Sequence, residues 1–131
     1  IAAPAPAQIP SDGYAASAEM VPGHYACLEF RGNRPVEFGS YTGTRFSNEF
    51  DIVDGATYAY RGTKRIEGGY SLDKATGVIA WKTGPFSPDP DGSAITGHNT
   101  TRKSDGKPAI ILTFHIPKFP DTNEFCALVT K

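Results

Sequence analysis

Short stretches of alternating apolar and polar residues, separated by turn signals, fill the chain from His24 onward and limit the fold more than any other feature. The alternating run 49–52 is followed by the pair Asp54 and Gly55, a strong hairpin signal, and then by a second alternating run, 57–61. Two more runs, at 65–72 and 78–82, predict a second hairpin with its turn at 73–77. Further strands are predicted near 24–30, 94–101, 108–116 and 123–130, with a weaker one near 37–42.

Hairpins at this spacing leave no stretch long enough for the helix of a parallel crossover unit. The high turn-former content, Gly 14 and Pro 11 among 131 residues, also disfavours long helices. A chain of this length corresponds to one domain. We therefore predict an all-β fold, a small antiparallel meander of about eight strands that is closed as a barrel or folded as a sandwich.

The first part of the chain has a different composition. Half of residues 1–22 are Ala or Pro, and no Lys or Arg occurs before Arg31. Because Pro fixes φ and lacks an N–H donor, we predict that residues 1–22 form an extended N-terminal tail, with one short helical turn within Tyr14–Met20, and that residues 23–131 form the single β domain. The start, Ile1 followed by Ala-Ala-Pro, fits a mature N-terminus left by signal peptidase.

The two cysteines, Cys27 and Cys126, fall in the first and last predicted strands of the β domain. An even pair in a chain with a processed-looking start predicts one disulfide, and hence a secreted protein in an extracellular or periplasmic compartment. A disulfide needs closely spaced Cα atoms, so the two strands are predicted to be neighbours, as in a closed barrel. Since Ala26 and Phe125 flank the cysteines with apolar side chains on the opposite parity, we expect both sulfurs to point away from the core.

Aromatic residues repeat with one parity along the two central hairpins. Tyr58, Tyr60, Tyr70 and Trp81 share this parity, which predicts that they face inward and form one aromatic wall of the barrel or sandwich. Two interpretations remain open. The rings fill the interior of a small domain, or they form a candidate wall for an apolar or glycan ligand.

The usual sequence patterns of catalytic and metal sites are absent. His24, His98 and His115 are far apart, and no zinc, nucleotide-binding or Gly-x-Ser-x-Gly pattern accompanies them. We therefore expect no metal, no cofactor and no enzymatic activity. The triplet beginning at Asn99 matches the acceptor pattern for N-glycosylation.

Charge and hydropathy exclude two classes of partner. Lys+Arg 13 against Asp+Glu 14 gives a net charge of -1, which offers no electrostatic reason to bind nucleic acid. No apolar run approaches the length of a membrane span.

The remaining hypothesis is a secreted, non-enzymatic β domain that acts through protein–protein contacts, as a repeating structural subunit of an extracellular assembly. Its partner would be another copy of itself or another extracellular protein. The tail, which contains no Lys or Arg, would dock on a neighbour through its apolar residues, Ile1, Ile9, Met20 and Val21. The alternative is a small-ligand or glycan binding barrel that uses the aromatic wall.

Overall fold

The computed structural model describes residues 13–31, 34–35 and 48–130, and in these residues all regular structure is antiparallel β. No helix within these ranges is long and apolar enough to cross a membrane. The strands are β1 (Tyr14–Ala16), β2 (Gly23–Arg31), β3 (Arg34–Pro35), β4 (Asn48–Ile52), β5 (Thr57–Arg61), β6 (Arg65–Leu72), β7 (Val78–Trp81), β8 (Ala94–Arg102), β9 (Pro108–His115) and β10 (Thr122–Thr130).

Eight of these strands close into a barrel. The order is β8-β7-β6-β5-β4-β2-β10-β9, and β9 pairs with β8 to complete the circle. β1 adds to β8 at residues 100–102, and β3 adds to β2. The predicted all-β meander is thus confirmed, and of the two predicted forms the structure adopts the barrel.

Both hairpins that the turn signals predict are present. In the turn between β4 and β5, the Asp54 carboxylate accepts a hydrogen bond from the Ala56 N–H at 2.9 Å. In the turn between β6 and β7, Gly77 has a φ of +77°, a left-handed conformation that favours glycine. The weaker strand predicted near 37–42 lies outside the described residues.

The barrel interior is an apolar core made by the inward-facing side chains of all eight strands. Its buried members include Tyr25, Phe50, Ile52, Tyr58, Tyr70, Ile79, Trp81, Ile110 and Leu112, together with Phe86 from the loop between β7 and β8. Gly97 on β8 makes room for the indole, because a Cβ there would lie 3.0 Å from Trp81 Cζ2 and 2.8 Å from Ile79 Cβ.

A second, smaller apolar cluster lies on the outer face of the barrel wall. Tyr14 of β1 packs on Phe125 of β10, with ring centroids 5.0 Å apart, beside the buried Ala109 and Ile111. The helical turn predicted within Tyr14–Met20 is therefore wrong over Tyr14–Ala16, which is strand β1. Pairing with β8 and burial of the Tyr14 ring outweigh the weak helix propensity of a few alanines.

The orientation predicted for the cysteines is also wrong. Cys27 and Cys126 lie directly opposite each other on β2 and β10, and both belong to the buried core inside the barrel. Ala26 and Phe125 are buried as well, on the outer face. Because both faces of these strands are covered, apolar residues on one parity did not identify the inner face.

Candidate functional site

The disulfide between Cys27 and Cys126 is formed, as the sequence predicts. It joins the first and last barrel strands of the chain, which are hydrogen-bonded neighbours with the two cysteines in register. Its place inside the core makes it a structural link rather than a reactive group, because a bonded and buried sulfur is not a nucleophile.

The predicted aromatic wall lies inside the barrel, where it is packed against the chain's own rings. Phe86 reaches into the interior, and its ring centroid lies 5.0 Å from that of Trp81, 5.3 Å from that of Tyr58 and 5.6 Å from that of Tyr60. Trp81 also contacts Tyr70 at 6.1 Å. Phe86 carries no sequence signal of its place in the core, since it follows the pair Gly84 and Pro85, which indicates only a turn.

The tyrosine hydroxyls of the wall bind groups of the protein itself. Tyr58 donates to the Thr83 carbonyl at 2.8 Å, and Tyr70 donates to the Asp54 carbonyl at 2.6 Å. Tyr60 donates to Asn48 Oδ1 at 3.1 Å. Burial raises the pKa of Tyr70 to about 12, with the Asp54 charge as a smaller cause, so this hydroxyl stays protonated and can donate.

One polar atom of the wall differs from the hydroxyls. Trp81 Nε1 is buried and has no hydrogen-bond partner in the described part of the chain. An indole N–H usually finds an acceptor when it is buried, so this is the position in the wall where an additional acceptor would gain a hydrogen bond.

The tail residues predicted to dock on a neighbour divide into two groups. Ile1 and Ile9 lie outside the described residues. Met20 packs against the barrel core, and the Val21 carbonyl accepts the Tyr25 hydroxyl at 2.6 Å. In this structure Met20 and Val21 therefore contribute to the fold of their own domain.

The glycosylation pattern at Asn99 is buried in the same region. Asn99 is 2% exposed, and its side-chain amide donates to the carbonyls of Ser17 at 3.1 Å and Glu19 at 2.9 Å. A glycan cannot be accommodated on this buried amide in the folded chain. The Asn99 side chain instead has a structural role, because its hydrogen bonds hold the segment that follows β1.

An ionic cluster lies on the outer face of β2, β4, β5 and β6. His24 faces two carboxylates, Asp51 at 3.0 Å from Nδ1 and Glu49 at 2.9 Å from Nε2. Arg61 and Arg65 donate to the second Asp51 oxygen at 3.0 and 2.8 Å. Burial alone would raise the Asp51 pKa, but the hydrogen bonds from Arg61, His24 and Arg65 outweigh it and hold the pKa below its usual value. The alternating charges balance, which is typical of a structural network.

A second polar arrangement, here called the Thr96 relay, consists of Thr96, His115 and Asp121. His115 Nε2 lies 2.8 Å from the Thr96 hydroxyl, and His115 Nδ1 lies 2.9 Å from Asp121 Oδ2. In the sequence His115 is only one of three widely spaced histidines, and no local pattern connects it to Thr96 or Asp121, because β8, β9 and the following turn bring the three residues together. Hydrogen bonds thus join a hydroxyl to an imidazole and the imidazole to a carboxylate.

The turn between β9 and β10 exposes two large apolar side chains close to this relay in the chain. Phe119 is 69% exposed and Ile116 is 48% exposed. Pro117 and Pro120 lie in the same turn, at the end of the barrel opposite the β4–β5 turn.

No group of three or more His, Cys, Asp or Glu side chains in ranges 13–31, 34–35 and 48–130 is arranged to hold a metal ion.

Comparison of the chain with protein-family models, with characterised proteins and with solved structures found no match.

Proposed function

We propose that this protein acts through protein–protein contacts, as a repeating subunit of an extracellular assembly. The observation that carries the proposal is the exposed apolar pair Ile116 and Phe119, on the outside of a barrel whose described interior is packed with its own aromatic rings. A contact protein needs its apolar surface outside the fold, where a partner can cover it. The disulfide supports an oxidising compartment such as the cell exterior.

The β9–β10 turn is well suited to be the anchor of such a contact. Pro117 and Pro120 restrict its backbone, and the Phe119 N–H donates to the Ile116 carbonyl at 3.1 Å. A turn that is already ordered loses little conformational entropy when a partner binds it. Aromatic side chains are also enriched among the residues that dominate binding energy at interfaces.

The partner that we propose is another copy of this chain. A net charge of -1 leaves little electrostatic repulsion between copies, and near-neutral proteins associate more readily than highly charged ones. A contact from this turn to a different patch on the next copy would be heterologous, and such contacts generate rings or filaments.

The predicted contribution of the N-terminal tail now falls on residues 1–12. Residues 13–21 are engaged by their own barrel, through β1, through the Asn99 amide and through Met20. Docking of residues 1–12 on a neighbouring copy stays a prediction, since these residues lie outside the described part of the chain.

Replacing Phe119 with Ser should weaken self-association at least about tenfold, because burying a phenylalanine at an interface stabilises a complex by roughly 1.5–3 kcal/mol. Sedimentation velocity over a range of concentrations measures this change. The matched control is Val53→Ser, which alters an exposed apolar residue beside the β4–β5 turn, at the opposite end of the barrel. If Phe119→Ser associates as tightly as the unaltered protein, the β9–β10 turn is not the contact.

Two deletions separate the docking part of the tail from the part that belongs to the barrel. Removing residues 1–12 should leave thermal unfolding cooperative and weaken self-association. Removing residues 1–22 should in addition lower the melting temperature. The loss of Tyr14 uncovers Phe125 and Ile111, and the buried Asn99 amide loses both of its hydrogen-bond acceptors. Equal melting temperatures for the two deletions would contradict the role of residues 13–22 in the fold.

The ligand-binding alternative is favoured by one observation, the unpartnered Trp81 Nε1 in the interior. A ligand there would have to offer an acceptor to the indole and displace or insert beside Phe86. This alternative predicts that added glycans or small apolar ligands change the fluorescence of Trp81, the single tryptophan of the chain.

A further inference from the structure

We propose that the Thr96 hydroxyl is a nucleophile toward activated carboxylic esters, with His115 as its general base and Asp121 as the residue that positions the imidazole. The proposal rests on the Thr96 relay and is independent of the contact function. A nucleophile in hydrogen-bond reach of a base, with the base held by a third group, is the geometric signature of acyl-transfer sites, which occur on unrelated folds.

The hydrogen-bond roles in the relay are fixed by the chemistry of its end group. An ionised Asp121 carboxylate can only accept, so His115 Nδ1 must donate across the 2.9 Å contact. In the neutral ring Nε2 then carries the lone pair, and it accepts the Thr96 hydroxyl proton across 2.8 Å. This is the direction in which a proton must move to activate the hydroxyl oxygen.

The barrel positions the three groups on one outer face. Thr96 lies opposite Thr113 in the register of β8 and β9. His115 is two residues further along β9, opposite Ala94, so it is a diagonal neighbour of Thr96 on the same face. Asp121 ends the turn that leads from β9 into β10, so the strand pairing that closes the barrel also sets the spacing of the relay. Nucleophile and base thus stand on rigid strands.

A neighbouring threonine shows what the relay adds. Thr113 is on the same face and also has a side-chain partner, but its hydroxyl donates to the Asn123 amide oxygen at 2.8 Å. An amide oxygen is a weak base, so Thr113 lacks the activation that His115 gives to Thr96.

A second histidine, His98, is buried on this face. His98 is 5% exposed, and burial lowers its pKa, with the nearby His115 as a smaller cause. Because His98 is held uncharged, it adds no positive charge beside His115 that would compete with the acceptance of the Thr96 proton.

The proposed reaction uses only the protein, the ester and water. Thr96 Oγ1 attacks the carbonyl carbon and forms the new C–O bond while its proton passes to His115 Nε2. The tetrahedral intermediate collapses by breaking the bond to the leaving oxygen, which receives that proton from Nε2. Water then attacks the acyl carbon and gives its proton to the same imidazole, the bond between that carbon and Thr96 Oγ1 breaks, and Oγ1 receives the proton from Nε2. The net reaction converts ester and water to acid and alcohol and regenerates the threonine.

The site is open to solvent, which limits the substrate class. The side chains of His115 and Asp121 are 39% and 56% exposed and Thr96 is half-buried, so we expect only small esters with a good leaving group to be attacked by Thr96 Oγ1. We therefore name p-nitrophenyl acetate as the probe.

The test measures p-nitrophenol release by the full chain and locates the acetyl group by peptide mass spectrometry. The unaltered protein should show a burst of release and an acetyl group on Thr96. Thr96→Val and His115→Gln should lose roughly 10²-fold or more of the rate, the usual effect of removing a nucleophile or its base. Thr96→Ser should retain acylation, and Asp121→Asn should reduce the rate while leaving Thr96 as the acylated residue.

The matched control is Thr113→Val, which removes a hydroxyl from the same face and should leave the rate unchanged. Circular dichroism of every variant checks that the barrel is intact, and Thr96→Ser keeps the test valid if Thr96→Val does not fold. The proposal is overturned if Thr96→Val releases p-nitrophenol as fast as the unaltered protein, or if acetyl groups are found on lysines with Thr96 unmodified.

Discussion

Replacing both Cys27 and Cys126 with Ala should lower the free energy of unfolding by up to about 4.7 kcal/mol, the value that the chain-entropy model gives for a loop of this size. The two cysteines are 99 positions apart, so the disulfide closes almost the whole described barrel into one loop. The main effect is on the unfolded chain, which gains conformational freedom once the link is removed. Denaturant unfolding followed by circular dichroism measures the change.

Reduction of the unaltered protein is the matching control for this double variant. With the disulfide broken by a reductant, the unaltered chain should unfold at nearly the same denaturant concentration as the double variant. Unfolding of the double variant at the midpoint of the oxidised protein would contradict a stabilising disulfide. Two free thiols in non-reducing mass spectrometry of native material would also remove the argument for an oxidising compartment.

Replacing Trp81 with Ala should destabilise the barrel by about 3–5 kcal/mol, the usual cost of truncating a buried aromatic residue. The indole is buried, with its ring centroid 4.8 Å from that of Tyr58, 5.0 Å from that of Phe86 and 6.0 Å from that of Phe50. Gly97, which lies against the indole, has no side chain that could fill the space that opens. Thermal unfolding by calorimetry measures the loss.

Ile66→Ala is the control for this truncation. Ile66 is exposed at the start of β6, so its loss should change the free energy of unfolding by less than about 0.5 kcal/mol. The informative contrary result is a Trp81→Ala variant that keeps its melting temperature and loses binding to a glycan or apolar ligand. In that case the aromatic wall would be a binding site, and the alternative function would replace the proposed contact function.

These experiments test three regions of the barrel separately. The interior rings and the disulfide are expected to provide stability, the β9–β10 turn is the proposed contact surface, and the Thr96 relay is the proposed site of ester cleavage. Phe119 and His115 are only four positions apart in the chain, so a bound partner and a small ester would approach neighbouring parts of the same surface.

Local sequence was enough to predict the eight barrel strands and the turns of the two central hairpins. The Asp54-Gly55 pair, the turn ending at Gly77 and the period-two alternation around them are short-range signals, and each acts through the backbone conformation that it favours. The aromatic parity of Tyr58, Tyr70 and Trp81 also predicted the inner face, since every second residue of a strand points to the same side.

The same alternation failed at β2 and β10 because the outer face there is covered as well. Ala26 and Phe125 are buried on the outer face, where Tyr14 packs on Phe125, so both parities carry buried apolar residues and alternation could not identify the inner face. The strand β1 was likewise a tertiary decision, since three residues of Tyr-Ala-Ala have no strong preference until β8 offers hydrogen bonds.

The sequence by itself determined the hairpins, the inward aromatic residues and the pairing of the two cysteines, because these follow from local conformation and from having a single possible disulfide partner. The tertiary structure decided which end of the barrel Phe86 fills, which carbonyls the tyrosines bind and that Thr96, His115 and Asp121 form one row. These contacts join residues from different strands and loops, and their distances are set by the register and closure of the whole barrel, which no local pattern encodes.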